Sequence, residues 1–283
     1  MKTKLLRTRA LVAALLVFAV LPAFAKPKKT KANATPVSIV ALSPAAAEIL
    51  FAVGAGNQVS AVSDYTDYPA EAAAKPKVGG FDGKTLSIES IISFKPDLVY
   101  LTSGMHDFLI ESLDKFGIKY YVSKGDSIAS VIQEISDIGD ITGHSIEAKK
   151  VIAEMKQKMT VMKGSGEKPS VYYEVWNAPY MSAGSTSFIN DVISAAGGKN
   201  LFGDLSEAYP MVSEETIIAR QPEIILIPAT SGISIDAIGN RAGWKDIPAV
   251  KNNRVYIIDD NLFTRPGPRI ADAVQTLSDI ISK

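Results

Sequence analysis

The chain has no cysteine and only two histidines in 283 residues. The first absence excludes disulfide staples and thiolate metal sites, and the second excludes a multi-histidine zinc or manganese centre. Stability must therefore come from a buried core, which a chain of this length can build. Basic and acidic residues balance at 30 each, so no charge excess points to nucleic acid. A phosphate-cradling glycine loop is missing too: "GAGNQV" (54–59) lacks a third glycine and follows a helical pattern rather than a strand. "AGSTSF" (183–188) is not a nucleophile elbow. With no nucleophile–base pair in view, the chain reads as a binding protein and not as an enzyme.

Long apolar runs are scarce as well. The one near the start, Ala10 to Leu21, is a dozen residues long, short of the roughly 20 that a membrane span needs. Lys2, Lys4, Arg7 and Arg9 accompany it and Ala23-Phe24-Ala25 closes the segment, so residues 1–25 read as a cleaved signal peptide. Without a cysteine to lipidate, the expected product is a mildly acidic protein free in a periplasm. Residues 26–36, "KPKKTKANATP", read as a flexible leader.

What is present is a sentence written twice. "LSIESIISFKPDLVYL" (86–101) returns 126 residues later as "VSEETIIARQPEIILI" (212–227). Ser87, Glu89, Ile91, Ile92 and Pro96 recur as Ser213, Glu215, Ile217, Ile218 and Pro222. Each copy parses as a serine cap, a short helix with an acid in its first turn, a proline stop and a buried strand. The flanks match too: "AVGAGN" (52–57) corresponds to "AAGGKN" (195–200). Each copy also continues into a further strand, "KYYV" (119–122) or "RVYII" (254–258), and a last helix. Short apolar strands alternating with helices indicate an α/β fold with parallel sheets.

Two similar lobes are therefore expected, at 37–144 and 170–283, joined by a helix and exit loop at 145–169. In that helix Ala148, Val151, Ile152, Met155, Met159 and Met162 keep helical spacing, Ser145 is placed to cap and Gly164 to end the run. Such a rod, ~27 Å for ~18 residues, limits how far the lobes can swing.

Ligands of open α/β sheets collect beyond the carboxyl ends of the strands. The segments landing there hold Tyr65, Tyr68, Phe81, Trp176, Tyr180 and Phe263. Aromatic rings in a cleft suit a large, flat or amphipathic ligand, and about half of these rings are expected to touch one, the rest covering the lobe cores. His106 lies on a cleft loop, within reach of a ligand metal or simply hydrogen-bonding its own loop. Asp82 and Asp107 are candidates for a carboxylate pair.

The order Ser43-Pro44-x-x-x-Glu48, "SDYTDYP", "VGGFDG", Ser-x-Glu…Lys-Pro-Asp-Leu-Val, a linking helix and a closing "RPGPRI" resembles the periplasmic substrate-binding proteins of iron–siderophore, haem and cobalamin importers. The likeness spans residues 37–283 and is nearest to the cobalamin-binding branch. It implies the class III periplasmic binding protein fold: two Rossmann-like lobes joined by one long helix. It also implies that Glu89 and Glu215 dock onto arginines of a dimeric ABC permease. Phe81 stands where the haem branch commonly places an iron-ligating tyrosine, which lowers haem among the ligands. Arg269 beside Pro268 reads as structural.

The resemblance thus implies capture of cobalamin or a related corrinoid by a monomer with no cofactor of its own. Tyr65, Phe81, Trp176 and Phe263 would stack on the ligand and Ser103, Asp260 and Arg265 would bond its rim, with His106 and Tyr180 completing the site. A ferric siderophore or haem is the alternative cargo. An exported enzyme or a ligand sensor is the alternative use of the scaffold.

Overall fold

A computed structural model describes residues 35–160 and 168–283. The expected signal peptide, the expected leader up to Ala34, and residues 161–167 with Met162 and Gly164 lie outside the described residues.

The first half runs β1 (Ile39–Ala41), α1 (Pro44–Ala52), β2 (Val59–Val62), α2 (Ala70–Ala73), α3 (Ile88–Ser93), β3 (Leu98–Thr102), α4 (Ile110–Phe116), β4 (Lys119–Ser123), α5 (Ile128–Thr142) and α6 (Ser145–Thr160). The second half runs β5 (Ser170–Tyr173), β6 (Trp176–Asn177), β7 (Tyr180–Met181), α7 (Phe188–Ala195), β8 (Lys199–Asn200), α8 (Glu214–Arg220) and β9 (Ile224–Pro228). It closes with α9 (Ile235–Gly239), α10 (Pro248–Lys251), β10 (Val255–Ile258), α11 (Asp260–Thr264) and α12 (Ile270–Ile281).

Each half builds one parallel sheet, ordered β2-β1-β3-β4 and β8-β5-β9-β10. The orders are the same, so the repeat read in the sequence is a repeat of topology. Beyond β5, "WNAPYM" folds as the antiparallel hairpin β6–β7, pairing Trp176 with Met181 and Asn177 with Tyr180 around a two-residue turn.

The repeat also extends to individual bonds. Ser87 and Ser213 each cap their helix, accepting from the backbone N–H of Ser90 (3.2 Å) and Thr216 (3.1 Å). Asp97 accepts from Val37 N and Ser38 N, while Glu223 accepts from Ser170 N and its hydroxyl. In each half, then, an acid just before one strand fixes the start of its neighbour and satisfies backbone donors there.

Strand periodicity decides which face of each sheet meets what. Ile39, Ala41, Leu98 and Tyr100 of one sheet and Val171, Tyr173, Ile224 and Leu226 of the other join one apolar cluster, shared with α1, α5, α6, α7 and α12. The alternate residues serve separate layers. Val40, Val99 and Leu101 pack with Ile91 of α3, and Tyr172, Ile225 and Ile227 pack with Ile217 of α8.

Within the shared core Ala148 and Met155 of α6 are buried, with Val151, Ile152 and Met159 half-buried beside them. A Cβ on Gly139 of α5 would come within 2.3 Å of Ala148 Cβ, so glycine there permits the close crossing of α5 and α6. Ser145 opens α6, but its hydroxyl donates to Asp140 (2.5 Å).

Candidate functional site

Loop 63–69 follows β2 at the carboxyl end of the N-terminal sheet. Lys77 Nζ donates to the carbonyls of Thr66 (2.8 Å) and Ser63 (3.4 Å), and the buried Ser63 and Thr66 hydroxyls bond each other. On this propped loop Tyr65 is 56% exposed. Its ring lies flat against Phe81, with centroids 4.4 Å apart and planes 21° from parallel. Phe81 is held by a tight turn. Gly79 has φ +130°, and a Cβ there would meet Thr85 O at 2.2 Å. Asp82 accepts from Thr85 N, Thr85 Oγ1 and Lys84 N, and Asp107 accepts from Gly104 N. Each carboxylate of the expected pair is spent on its own turn.

His106 lies near these rings, with its ring centroid 6.3 Å from that of Phe81. It is fully buried, and its Nδ1 accepts from Thr102 N at 3.0 Å. Burial pushes its pKa down to about 4, against a weaker opposing pull from Asp107. The imidazole is thus neutral, its proton on a buried and unpartnered Nε2. It offers no side chain to the cleft surface, and the hydrogen-bonding loop role is the one the structure supports. Ser103 is exposed on the same loop, its amide donating to Ser123 O.

In the C-terminal half Trp176 is 58% exposed, its indole donating to Ala178 O at 3.0 Å. Beside it, at the carboxyl ends of β5 and β9, Glu174, Trp176, Asn177, Pro228, Thr230 and Ser231 line a cavity of about 140 Å³. Asp260 borders this region, accepting from Thr230 Oγ1 (2.7 Å) and N (3.3 Å). Among the described residues no ring contact joins Trp176 to the Tyr65–Phe81 pair.

An ion network joins the two halves at one side. Glu48 of α1, its side chain 2% exposed, accepts from Arg269 Nε and Nη2 (2.9 and 2.6 Å) and from Arg265 Nη1 (3.2 Å). Arg265 also grips Asp67 with both terminal nitrogens (2.5 and 3.0 Å), and Arg269 lies 4.1 Å over the Tyr68 ring. Hydrogen bonds from Arg265 hold the Asp67 carboxyl below the usual range. Loop 63–69 of one sheet therefore touches loop 259–269 of the other, and both sheets present their carboxyl ends to a common boundary. A glutamate inside the apolar helix "PAAAEILFA" was the available signal for this network.

Three expected ligand residues are engaged elsewhere in this structure. Phe263 is fully buried in the shared core near Tyr173 and has no face to stack on a ligand. Tyr180 is half-buried against Trp244 and Arg241, its hydroxyl turned to Glu214. Arg265 is committed to two carboxylates and brings no free positive charge to the rim.

Glu89 and Glu215 are both exposed, each the second residue of its helix. The Glu215 carboxyl is held below its ordinary value by its own backbone amide and by the Ser213 hydroxyl.

A family model described as periplasmic binding protein matches residues 39–262. The chain belongs to the periplasmic binding protein family. A vitamin B12-binding protein of Vibrio parahaemolyticus is 30% identical over 250 residues, covering 87% of this chain and 89% of that one. The solved structure of a periplasmic vitamin B12 binding protein of Vibrio cholerae superposes with a TM-score of 0.75 at 26% identity, covering 88% and 97% of the two chains. A solved protein of Staphylococcus epidermidis, described as a possible iron-binding (periplasmic solute-binding) protein, has a TM-score of 0.76 at 31% identity, over 88% and 100%.

The fold is that of class III periplasmic binding proteins, with its two parallel sheets. Among the described residues no group of three or more His, Asp or Glu is placed to hold a metal ion.

Proposed function

We propose that this protein is a periplasmic receptor that captures cobalamin or a related corrinoid between its lobes and delivers it to a dimeric ABC permease. One observation carries the reading: an exposed aromatic ring follows a strand of each sheet, Tyr65 backed by Phe81 after β2 and Trp176 after β5. A ring whose back is already stacked is held in place and offers its free face at low entropic cost. A corrinoid is broad, amphipathic and rimmed with amides, and hydroxyls at Ser103, Thr230 and Ser231 lie on the adjoining loops. The relatives described as vitamin B12-binding support the same cargo.

The iron-binding description of the Staphylococcus relative favours a second reading, a ferric siderophore or haem. Against it, Phe81 offers no ligand atom, His106 is buried and Arg265 is already paired.

Calorimetry on the protein from Lys26 onward, titrated with cyanocobalamin, haemin and a ferric hydroxamate, separates these cargoes. One-to-one binding of cyanocobalamin, weakened about thirtyfold or more by Trp176→Ala, is the expected result. Heat from an iron compound alone would overturn the corrinoid reading.

Glu89 and Glu215 are the proposed permease contacts. Charges at the rim of an interface set register and association rate, and two matching acids suit a two-fold partner. Unchanged permease ATP hydrolysis with the Glu89→Ala, Glu215→Ala double variant would remove this part of the proposal.

A further inference from the structure

A largely shielded polar column crosses the C-terminal lobe from the cavity beside Trp176 to the first turn of α8. Glu174 leaves the carboxyl end of β5 with its side chain 2% exposed and lines that cavity. Its carboxylate takes Arg241 Nη1 and Nη2 at 2.5 and 2.8 Å. Burial works against the Arg241 charge, and the Glu174 carboxylate outweighs it, holding the guanidinium pKa above its ordinary value. The guanidinium lies 4.6 Å over the Trp244 ring and 5.3 Å over that of Tyr180. Trp244 is fully buried, and its Nε1 donates to Glu214 Oε1 at 2.8 Å. The Tyr180 hydroxyl donates to the same oxygen at 3.3 Å. Glu214 is the first residue of α8, and Glu215 follows it.

Each member is partnered by the next, and a connected polar chain partly shielded from water is stiff and geometrically specific. The N-terminal lobe is built differently. In the place of Glu214 stands Ile88, which packs against the outer apolar layer. There the helix start is tied by Ser90 Oγ donating to Val78 O.

We propose that Arg241 is a positioning residue. Through Trp244 and Glu214 it sets the first turn of α8, and with it Glu215, from the wall of the ligand cleft. The two docking glutamates are thereby held by different means, one by apolar packing and one by a polar column that begins at the cargo. This rests on the reading of Glu215 as a permease contact and of the Trp176 cavity as part of the ligand site.

Amide hydrogen exchange on the ligand-free protein tests it, comparing wild type with Glu174→Gln, Arg241→Met and the milder Trp244→Phe, which removes the indole donor. The amides of Ile217 and Ile91 make the equivalent first-turn bonds, to Ser213 O and Ser87 O. Exchange at Ile217 is expected to quicken about tenfold or more in all three variants, with Ile91 and Ile225 of β9 at wild-type rates. An unchanged Ile217, or equal acceleration at all three amides, would overturn the proposal. With cyanocobalamin, Ile217 in the wild type is expected to slow, and the slowing to vanish in Glu174→Gln. Protection that appears around Trp176 but leaves Ile217 unmoved would overturn the link to the cleft. A cyanocobalamin titration that changes no amide counts against the corrinoid reading alone, and the ligand-free rates still decide the role of Arg241.

Discussion

Lys95 and Gln221, 126 residues apart, hold the same rare backbone conformation, with φ of 48° and 49°, each directly before a repeated proline. Both close the last turn of a short helix, their amides donating to Ile92 O and Ile218 O. A left-handed residue with a Cβ costs about 1–2 kcal/mol, and both side chains are exposed. Lys95→Gly and Gln221→Gly are each expected to leave stability unchanged or raise it by up to about 1 kcal/mol, the relief being partly offset by chain entropy. Valine at either position is expected to lower it. Urea unfolding of the four variants measures both signs.

Phe263 and Trp176 should separate stability from binding. Phe263→Ala opens a cavity in the shared core and is expected to cost about 3–5 kcal/mol of stability. Trp176→Ala, at an exposed position, is expected to change stability by less than about 1 kcal/mol while weakening cargo binding. Denaturation and calorimetry on the same two variants check the contrast.

The Arg265 network should show in the acid limb. The Asp67 carboxyl is held below its ordinary value in the folded protein. Its contribution is present above the ordinary carboxylate pKa and is lost as pH falls through the depressed one. Arg265→Met is expected to cost about 2 kcal/mol at neutral pH, below the usual loss for breaking a buried pair because Asp67 is largely exposed. The difference from wild type should narrow between pH 5 and pH 2, as measured by unfolding across that range.

His106 titrates at about 4 when folded, against 6.5 ordinarily. The unfolded chain therefore binds the extra proton first, and stability falls as pH drops from 6.5 toward 4. Protonation would also remove the acceptor that Thr102 N uses. The effect is expected to reach about 3 kcal/mol, and His106→Gln, which keeps an acceptor, should abolish it. A nuclear magnetic resonance titration of the imidazole gives the midpoint directly.

The strands, the helix caps and the two-fold repeat were legible because their causes are local. Ser87 and Ser213 cap wherever a helix follows them, and the short continuous apolar runs in "DLVYL" and "EIILI" mark strands buried on both faces. What the sequence hid was direction. Phe263, Tyr180 and Arg265 lie on segments that follow strands β5 and β10, and position along the chain does not reveal which way a side chain turns. Phe263 turns into the core, Tyr180 toward Trp244, and Arg265 to acids 198 and 217 residues away in the chain. "WNAPYM" hid its hairpin because strands of two residues are too short to show a period.

The sequence carries its sentence twice, but the largest apolar cluster exists once and draws on both sheets. The two halves are therefore copies in wording and not in autonomy. A half lifted out for grafting or fusion would expose the faces bearing Tyr100 or Tyr173. Swapping a half between relatives would demand that α5, α6, α7 and α12 travel as a matched set.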